Sequence, residues 1–534
     1  MPAAVQKIQR RLIANGTGDF SLVAVDKFIL ATRDSGYQGT ESAVAELVDN
    51  AVQAGARRIV VNITADGEEG PDPLRIMVQD DGSGMDRRTL RQALRFGGST
   101  RFNDRSGLGR YGMGLPNSSL SQARRVEVYS WQSNRSPWST FLDVDEVAAG
   151  RMLEVPEPKL SRFPEWFEKP KSQSGTLVIW RRCDRLDHRR PGTIARKLHV
   201  PLGQIFRFFL WNKLEIVVNG IPVEPIDPLY LHHRSARKGG RIFGKPLEYE
   251  IEARASSGEI CGVGKVMVTF SELPVHDWHD LSNEEKRIRG ITNGAGVSVV
   301  RADREIDYGW FFMSGKRREN YDDWWRCEIR FDPILDEAFG ITHTKQQIRP
   351  QEYLQEILSA DLESQAKALN GRVRQAHVQL RSSERTVAIE RLASERDELL
   401  RPLPSQSSGA KDLALIEKLA KRHPTLREAA LSESGSMQYR IIQEEMKDTS
   451  FFSFAVKDGL FVLVLNPEHA FYRKLYKQLL EDDSKEGQVL RGQIDLLLLA
   501  AARGEAAATT NNQRDVMQQF RKSWSDNLAT FLSK

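Results

Sequence analysis

The chain has 534 residues, 40% of them hydrophobic and 28% charged, with 77 Lys+Arg against 72 Asp+Glu and a formal net charge of +5. That length exceeds one ordinary domain, and that balance excludes wholesale disorder and a uniformly basic surface. Cys183, Cys261 and Cys327 are far apart and form no C-x-x-C pair. This excludes a zinc ribbon or disulfide frame and reads as buried, reduced thiols. The opening MPAAVQKIQRRL lacks a signal-peptide apolar core, and the apolar runs at 460–465 and 496–502 fall far short of the roughly 20 residues of a membrane span. The expectation is a cytoplasmic protein without a membrane partner.

Helical and strand patterns alternate across 20–220. In ESAVAELVDNAVQAGA (41–56), Val44, Leu47, Val48 and Val52 form an apolar stripe at helical spacing, and Gly55 sits where a helix stops. Glu46, Asn50 and Gln53 share another face at i, i+4 and i+7. A carboxylate one turn before a carboxamide suits a metal–phosphate site: the amide oxygen ligates Mg2+ and the carboxylate orients and deprotonates a water. The alternative is a plain solvated face. RIVVNI (58–63) and LRIMVQ (74–79) read as strands, and the second runs into Asp80-Asp81-Gly82-Ser83-Gly84-Met85. A strand-end carboxylate followed by two glycines lets a flat ring approach the backbone, with Asp80 accepting from an exocyclic amine. Gly107-Leu108-Gly109-Arg110-Tyr111-Gly112-Met113-Gly114-Leu115 follows a polar stretch at 97–106. Its glycines let backbone N–H groups face phosphate oxygens at a helix start. No Walker A sequence is present. VEVYSW (126–131), TLVIW (176–180) and LEIVVNGIPV (214–223) are further strands, the last with an Asn-Gly turn.

A second α/β unit begins near 246, with VMVTF (266–270), GVSVVRADREID (296–307) and CEIRFDP (327–333) as its strands. Trp324 and Trp325 read as core. Residues 351–400 are helical, PLPSQSSG (402–409) is a linker by composition, and GLFVLVLNPEHAFYRKLYKQLL (459–480) reads as strand, turn and amphipathic helix.

In this order, ELVDN, DDGSGM, GLGRYGMG and Gly175-Thr176 resemble the four motifs of the Bergerat-fold (GHKL) ATPases, the superfamily of gyrase, ninety-kilodalton heat-shock chaperones, histidine kinases and MutL. The resemblance covers about 25–215. It implies an α+β chain: a Bergerat-fold α/β sandwich ATPase domain (1–215) and a transducer-like α/β domain (216–350). A helical arm (351–401), a linker (402–411) and a C-terminal α/β module suited to dimerisation (412–534) follow. It further implies ATP and Mg2+ as ligands, Glu46 as the general base and Asn50 as the metal ligand. Asp80 would read the adenine amine, with Gly82, Gly84, Met85 and Thr176 around the base. Gly109, Arg110, Tyr111, Gly112, Met113, Gly114 and Leu115 would form the phosphate-holding part of a lid over 97–115. Gln53 departs from the acidic residue that many relatives carry there.

The kinase branch is disfavoured, because the roughly 40 residues before the first motif contain no His, and His377 lacks an acidic neighbour. FGITHTKQQIRP (339–350) resembles the transducer loop of gyrase, MutL and MORC-type proteins, which implies Lys345 at the γ-phosphate with Gln346 beside it. GVSVVRADREID is similar to a hairpin of MORC-type proteins. The implied machine is an ATP-gated homodimeric clamp. The alternatives are a chaperone-like ATPase that remodels protein clients and a non-hydrolysing scaffold.

Charge is uneven: residues 181–245 hold 14 Lys+Arg against 5 Asp+Glu. The richest pieces, 181–190 and a glycine-rich stretch at 232–245 read as a loop, suit the phosphates of double-stranded DNA. Lys316-Arg317-Arg318 is a third basic cluster. A solubilising surface is the competing reading.

Overall fold

Alternating β-branched and aromatic residues build an eight-stranded sheet from the first 222 residues. Its strands are β1 (Arg58–Ala65), β2 (Leu74–Asp80), β3 (Arg125–Trp131), β4 (Trp138–Asp143), β5 (Lys159–Leu160), β6 (Gly175–Arg181), β7 (Glu215–Val218) and β8 (Ile221–Pro222). They lie in the order β5-β4-β3-β6-β2-β1-β7-β8. All pairings are antiparallel except β1 with β7. The computed structural model describes residues 24–34, 36–37, 39–65, 74–98, 113–133, 136–168, 170–255, 258–341, 347–404, 410–423, 426, 437–446, 448–482 and 484–533.

One face of this sheet carries α1 (Val25–Asp34), α2 (Thr40–Gln53), α3 (Arg87–Ala93), α4 (Gly114–Gln122), α5 (Pro191–Ile205) and α6 (Arg207–Trp211). Val44, Leu47 and Val48 of α2, Leu120 of α4 and Leu198 of α5 share a core with Ile76, Val78, Val126, Val128, Val178 and Trp180. The opposite face buries Met77, Trp131, Leu177 and Ile179 beneath Phe163 and Phe167. Successive side chains of a strand point to opposite faces. The alternation that turns Ile76 and Val78 to the helices therefore brings Asp80 to the same side, in register with Thr176, which is in register with Ser130.

A second sheet follows in the order β12-β11-β13-β10-β9, from β9 (Arg241–Arg254), β10 (Ile260–Glu272), β11 (Val297–Arg301), β12 (Arg304–Gly309) and β13 (Trp325–Phe331). The β11–β12 hairpin turns through Ala302 and Asp303, both at positive φ. Leu354, Leu358, Leu362, Ala366 and Leu369 form the apolar stripe of α7 (Glu352–Asp397) that joins this sheet's core. Both sheets belong to one compact unit, Met1–Pro274 with Asp280–Asn370. Within it, the fully buried Arg207 of α6 donates to Glu305 of β12 at 2.8 Å, Glu328 of β13 at 2.6 Å and Ser298 of β11 at 2.9 Å.

The second compact unit comprises Val275–His279 and Gly371–Lys534. It holds α8 (Ala410–Ala420), β14 (Gln438–Gln443), β15 (Phe452–Lys457), β16 (Leu460–Leu465), α9 (Lys485–Ala506) and α10 (Asn511–Leu532), with strand order β14-β16-β15. The chain is therefore α+β. Among the described residues no helix is long and apolar enough to cross a membrane.

Three expectations change. Cys183 and Cys327 are buried, but Cys261 is exposed, because it lies at the start of β10, beside the edge strand β9 of the second sheet. Lys316 is buried rather than part of a free basic cluster, with its ammonium on Asp322 at 2.6 and 2.8 Å. The stretch 232–245 is a loop only as far as Gly240, since Arg241 opens the edge strand β9, where Gly244 and Pro246 are tolerated. Trp324 and Trp325 are both core residues.

Candidate functional site

The polar face of α2 has four members, Glu46, Asp49, Asn50 and Gln53, at i, i+3, i+4 and i+7. Glu46 is 4% exposed and Asp49 fully buried. The Tyr37 hydroxyl donates to Glu46, and burial followed by Glu46 itself drives the phenol far above its ordinary range, so it stays a donor. The other flank of Glu46 is closed by the first residue of α4. A Cβ on Gly114 would lie 2.0 Å from Glu46 Oε1 and 2.8 Å from its carboxyl carbon. Any larger residue at the start of α4 would have to push the Glu46 side chain aside. Among the described residues the neighbouring amide nitrogens Asn50 Nδ2 and Gln53 Nε2 are buried without a hydrogen-bond partner. Buried amides of that kind await a polar group.

Across the sheet face, Asp80 Oδ1 accepts from Gly82 N at 2.8 Å. Burial pushes the Asp80 carboxyl up to about 6, against the opposing effect of the Gly82 and Thr176 N–H groups, with Asp81 adding to the rise. Ser130 Oγ joins Thr176 Oγ1 at 3.1 Å and accepts from Met85 N at 2.7 Å, so the β3 serine fixes the backbone at Met85. Gly84 has φ +66, and a Cβ there would lie 2.1 Å from Trp131 O. Gly82 faces Ala54 at the end of α2, where Ser83 N donates to Ala54 O at 2.9 Å. The two glycines of D-x-G-x-G therefore clamp the loop between α2 and the end of β3.

Of the residues predicted from sequence, Glu46, Asn50 and Gly114 lie on adjoining helices, and Asp80, Gly82, Gly84, Met85 and Thr176 gather at the neighbouring strand ends. Met113 caps α4 and Leu115 packs against the first core. Gly109, Arg110, Tyr111, Gly112, Lys345 and Gln346 lie outside the described residues. The sequence reading missed Tyr37, Asp49, Ser130 and Arg304. Arg304 reaches Asp49 from β12, its Nε at 2.9 and 2.8 Å from the two carboxylate oxygens. Only Asp49 and Ser130 carried any signal, as polar residues inside patterns that bury their neighbours.

Among the described residues no group of three His, Cys, Asp or Glu side chains could cage a metal. A hard cation at this site would take Asn50 as its protein ligand and complete its shell from phosphate oxygens and water, which is how Mg2+ is usually held.

A helix-borne carboxylate and carboxamide beside a strand-end aspartate, in a helix-on-sheet sandwich, define a Bergerat-type nucleotide-binding domain. Residues 37–176 match the family model of histidine kinase-, DNA gyrase B- and HSP90-like ATPases. Over 112 residues, the chain is 37% identical to Protein MICRORCHIDIA 6 of Arabidopsis thaliana, a match covering 20% of this chain and 16% of that protein. It is 30% identical over 117 residues to Protein MICRORCHIDIA 7 of the same plant, covering 21% and 16% respectively. The chain thus matches about a sixth of the length of these curated relatives. Residues 37–176 thus carry a domain of the GHKL ATPase type, and the chain is similar over part of its length to microrchidia proteins.

Proposed function

We propose that the chain binds and hydrolyses ATP and works as a nucleotide-gated dimeric clamp on double-stranded DNA. The observation that carries the reading is the placement of Glu46, buried, held by Tyr37 and set against Gly114 at the start of α4, beside Asn50 and across from Asp80. In the proposed reaction Asp80 accepts the adenine amine and the amides around Gly114 receive phosphate oxygens. Glu46 takes the proton of the water whose oxygen bonds to the γ-phosphorus as the bond to the ADP oxygen breaks. Mg2+ held by Asn50 would neutralise charge on the phosphates. Lys345 would add a cation at the γ-phosphate, and Gln346 would assist it.

The proposed roles of the two sheets, nucleotide site and transducer, are supported by the buried Arg207–Glu305 and Arg304–Asp49 pairs that join them. For DNA, the support is the exposed Arg234, Lys238, Arg241 and Lys245. The 181–190 segment is weaker support, since Arg182 pairs with Asp143 and Asp145, and Arg185 with Asp34.

Sedimentation and DNA binding test the clamp. A non-hydrolysable ATP analogue should shift the chain to a dimer with tighter, salt-sensitive DNA binding. Changing Arg234, Arg237, Lys238, Arg241 and Lys245 to Gln should weaken that binding about tenfold or more. Unchanged DNA affinity in this variant removes the DNA reading and favours a protein client. Dimerisation without phosphate release favours a scaffold.

A further inference from the structure

The proposed chemistry leaves one buried contact at the site unused. Asp49 follows Glu46 by three residues and precedes Asn50, so it stands inside the stretch of helix that bears the base and the metal ligand. Its carboxylate is fully buried, and the Arg304 that grips it is 5% exposed. Arg304 belongs to the second sheet, 255 residues away in sequence. We propose that Arg304 is a positioning residue for hydrolysis: by gripping Asp49 it fixes the rotation of α2 about its own axis, and with it the carboxylate of Glu46. The second sheet would then complete the hydrolytic site through a contact that never meets the nucleotide. This inference rests on the reading of Glu46 as the base.

The geometry makes Arg304 a rigid anchor. Its Nε reaches both Asp49 oxygens, while Nη1 donates to the carbonyl of Glu305 at 3.0 Å. Glu305 is in turn fixed by Arg207 at 2.8 Å and by Gln204 at 2.7 Å. Adjacent residues of β12 thus hold α2 and the α5–α6 corner at once, with opposite charges. Burial disfavours the Arg304 cation, but Asp49, and after it Glu46 and Tyr37, outweigh that effect and keep the guanidinium charged.

A buried ion pair adds little net stability over an apolar pair, but it is directional. Apolar contacts along Val44, Leu47 and Val48 would tolerate a small rotation of α2, whereas a guanidinium locked at both ends does not. The Glu46 carboxylate lies roughly 6 Å from the helix axis, so a turn of about 10° moves it by about 1 Å. A displacement of that size at a reacting group costs up to about a hundredfold in rate. Adenine recognition rests on Asp80 at the end of β2, held in the sheet beside Thr176, and its loop meets α2 at Ala54, beyond the Glu46–Asp49 stretch that Arg304 anchors. Loss of the anchor should therefore act on kcat and spare nucleotide affinity.

The test uses the full chain carrying Asp49→Asn with Arg304→Gln, which exchanges the ion pair for a neutral amide pair without stranding a buried charge. This variant should unfold cooperatively, bind ADP within about threefold of wild type, and keep KM within the same range while kcat falls at least about tenfold. Should it fail to fold, Arg304→Lys keeps the charges balanced but loses the fork, and should lower kcat about threefold or more at unchanged KM. Turnover within twofold of wild type in the folded variant, or kcat and ADP affinity falling together, overturns the positioning role. Glu46→Ala measured alongside separates the two ideas, since wild-type turnover in that variant sinks the base assignment whatever Arg304 does.

Discussion

Replacing Gly114 with alanine adds one methyl group directly against the proposed base. The new Cβ would sit 2.0 Å from Glu46 Oε1, where ordinary contact begins at 3.4 Å, so the carboxylate has to withdraw by about 1.4 Å. Little room is available, because Glu46 is 4% exposed and its other side meets the Tyr37 hydroxyl. A shift of this size in a group that aligns a water predicts a roughly hundredfold fall in kcat, about 2.7 kcal/mol in activation free energy. Helix propensity pushes stability the other way: alanine in place of glycine stabilises a helix interior by about 0.5–1 kcal/mol, an upper bound for Gly114 at the first position of α4. Steady-state hydrolysis, ADP binding and thermal unfolding of Gly114→Ala therefore discriminate sharply. The expected result is slow turnover with no gain in Tm. Wild-type turnover with a raised Tm would refute the packing of Gly114 on Glu46.

Two further substitutions test the site and the joint between sheets. The Asp80 carboxyl titrates at about 6 in the folded chain against 3.8 ordinarily. Its contribution to apo stability is therefore full below about pH 4 and lost as pH rises through about 6, a cost of about 3 kcal/mol at neutral pH. Asp80→Asn should thus raise apo stability at pH 7.5 but not at pH 4 while abolishing adenine-nucleotide binding, as urea unfolding and equilibrium binding would report. Arg207→Ala strands the buried carboxylates of Glu305 and Glu328 and should cost about 3–5 kcal/mol. Burial already raises the Glu328 carboxyl, with Arg207 opposing. The deficit should therefore shrink as pH falls and protonation removes the charge, which denaturant melts at pH 7.5 and 5.5 would follow.

What the sequence revealed of this molecule was its local periodicity. The stripe of α2, the strand end at Asp80, and the Asn-Gly turn at Asn219-Gly220 each follow from neighbours within a few residues, and the structure contains all three. β4 escaped notice because WSTFLD has no clean alternation, and its burial follows none. β9 begins in a glycine-rich stretch that reads as a loop, because an edge strand does not demand the composition of a central one. Tyr37 and Arg304 were illegible for another reason. Tyr37 lies just before α2 but shows its role only when the chain folds back onto Glu46, and no window of sequence places Arg304 beside Asp49. The Lys316 cluster differs, since its partner Asp322 is near in sequence and pairs with it only once the intervening loop has folded.

The central claim is that Glu46 removes the proton from the attacking water. Phosphate release and ATP binding measured on the same preparations of wild type and Glu46→Ala test it most directly. General-base catalysis by Glu46 predicts ATP affinity within about threefold of wild type and turnover lower by about a hundredfold or more. Undiminished phosphate release from Glu46→Ala would contradict it.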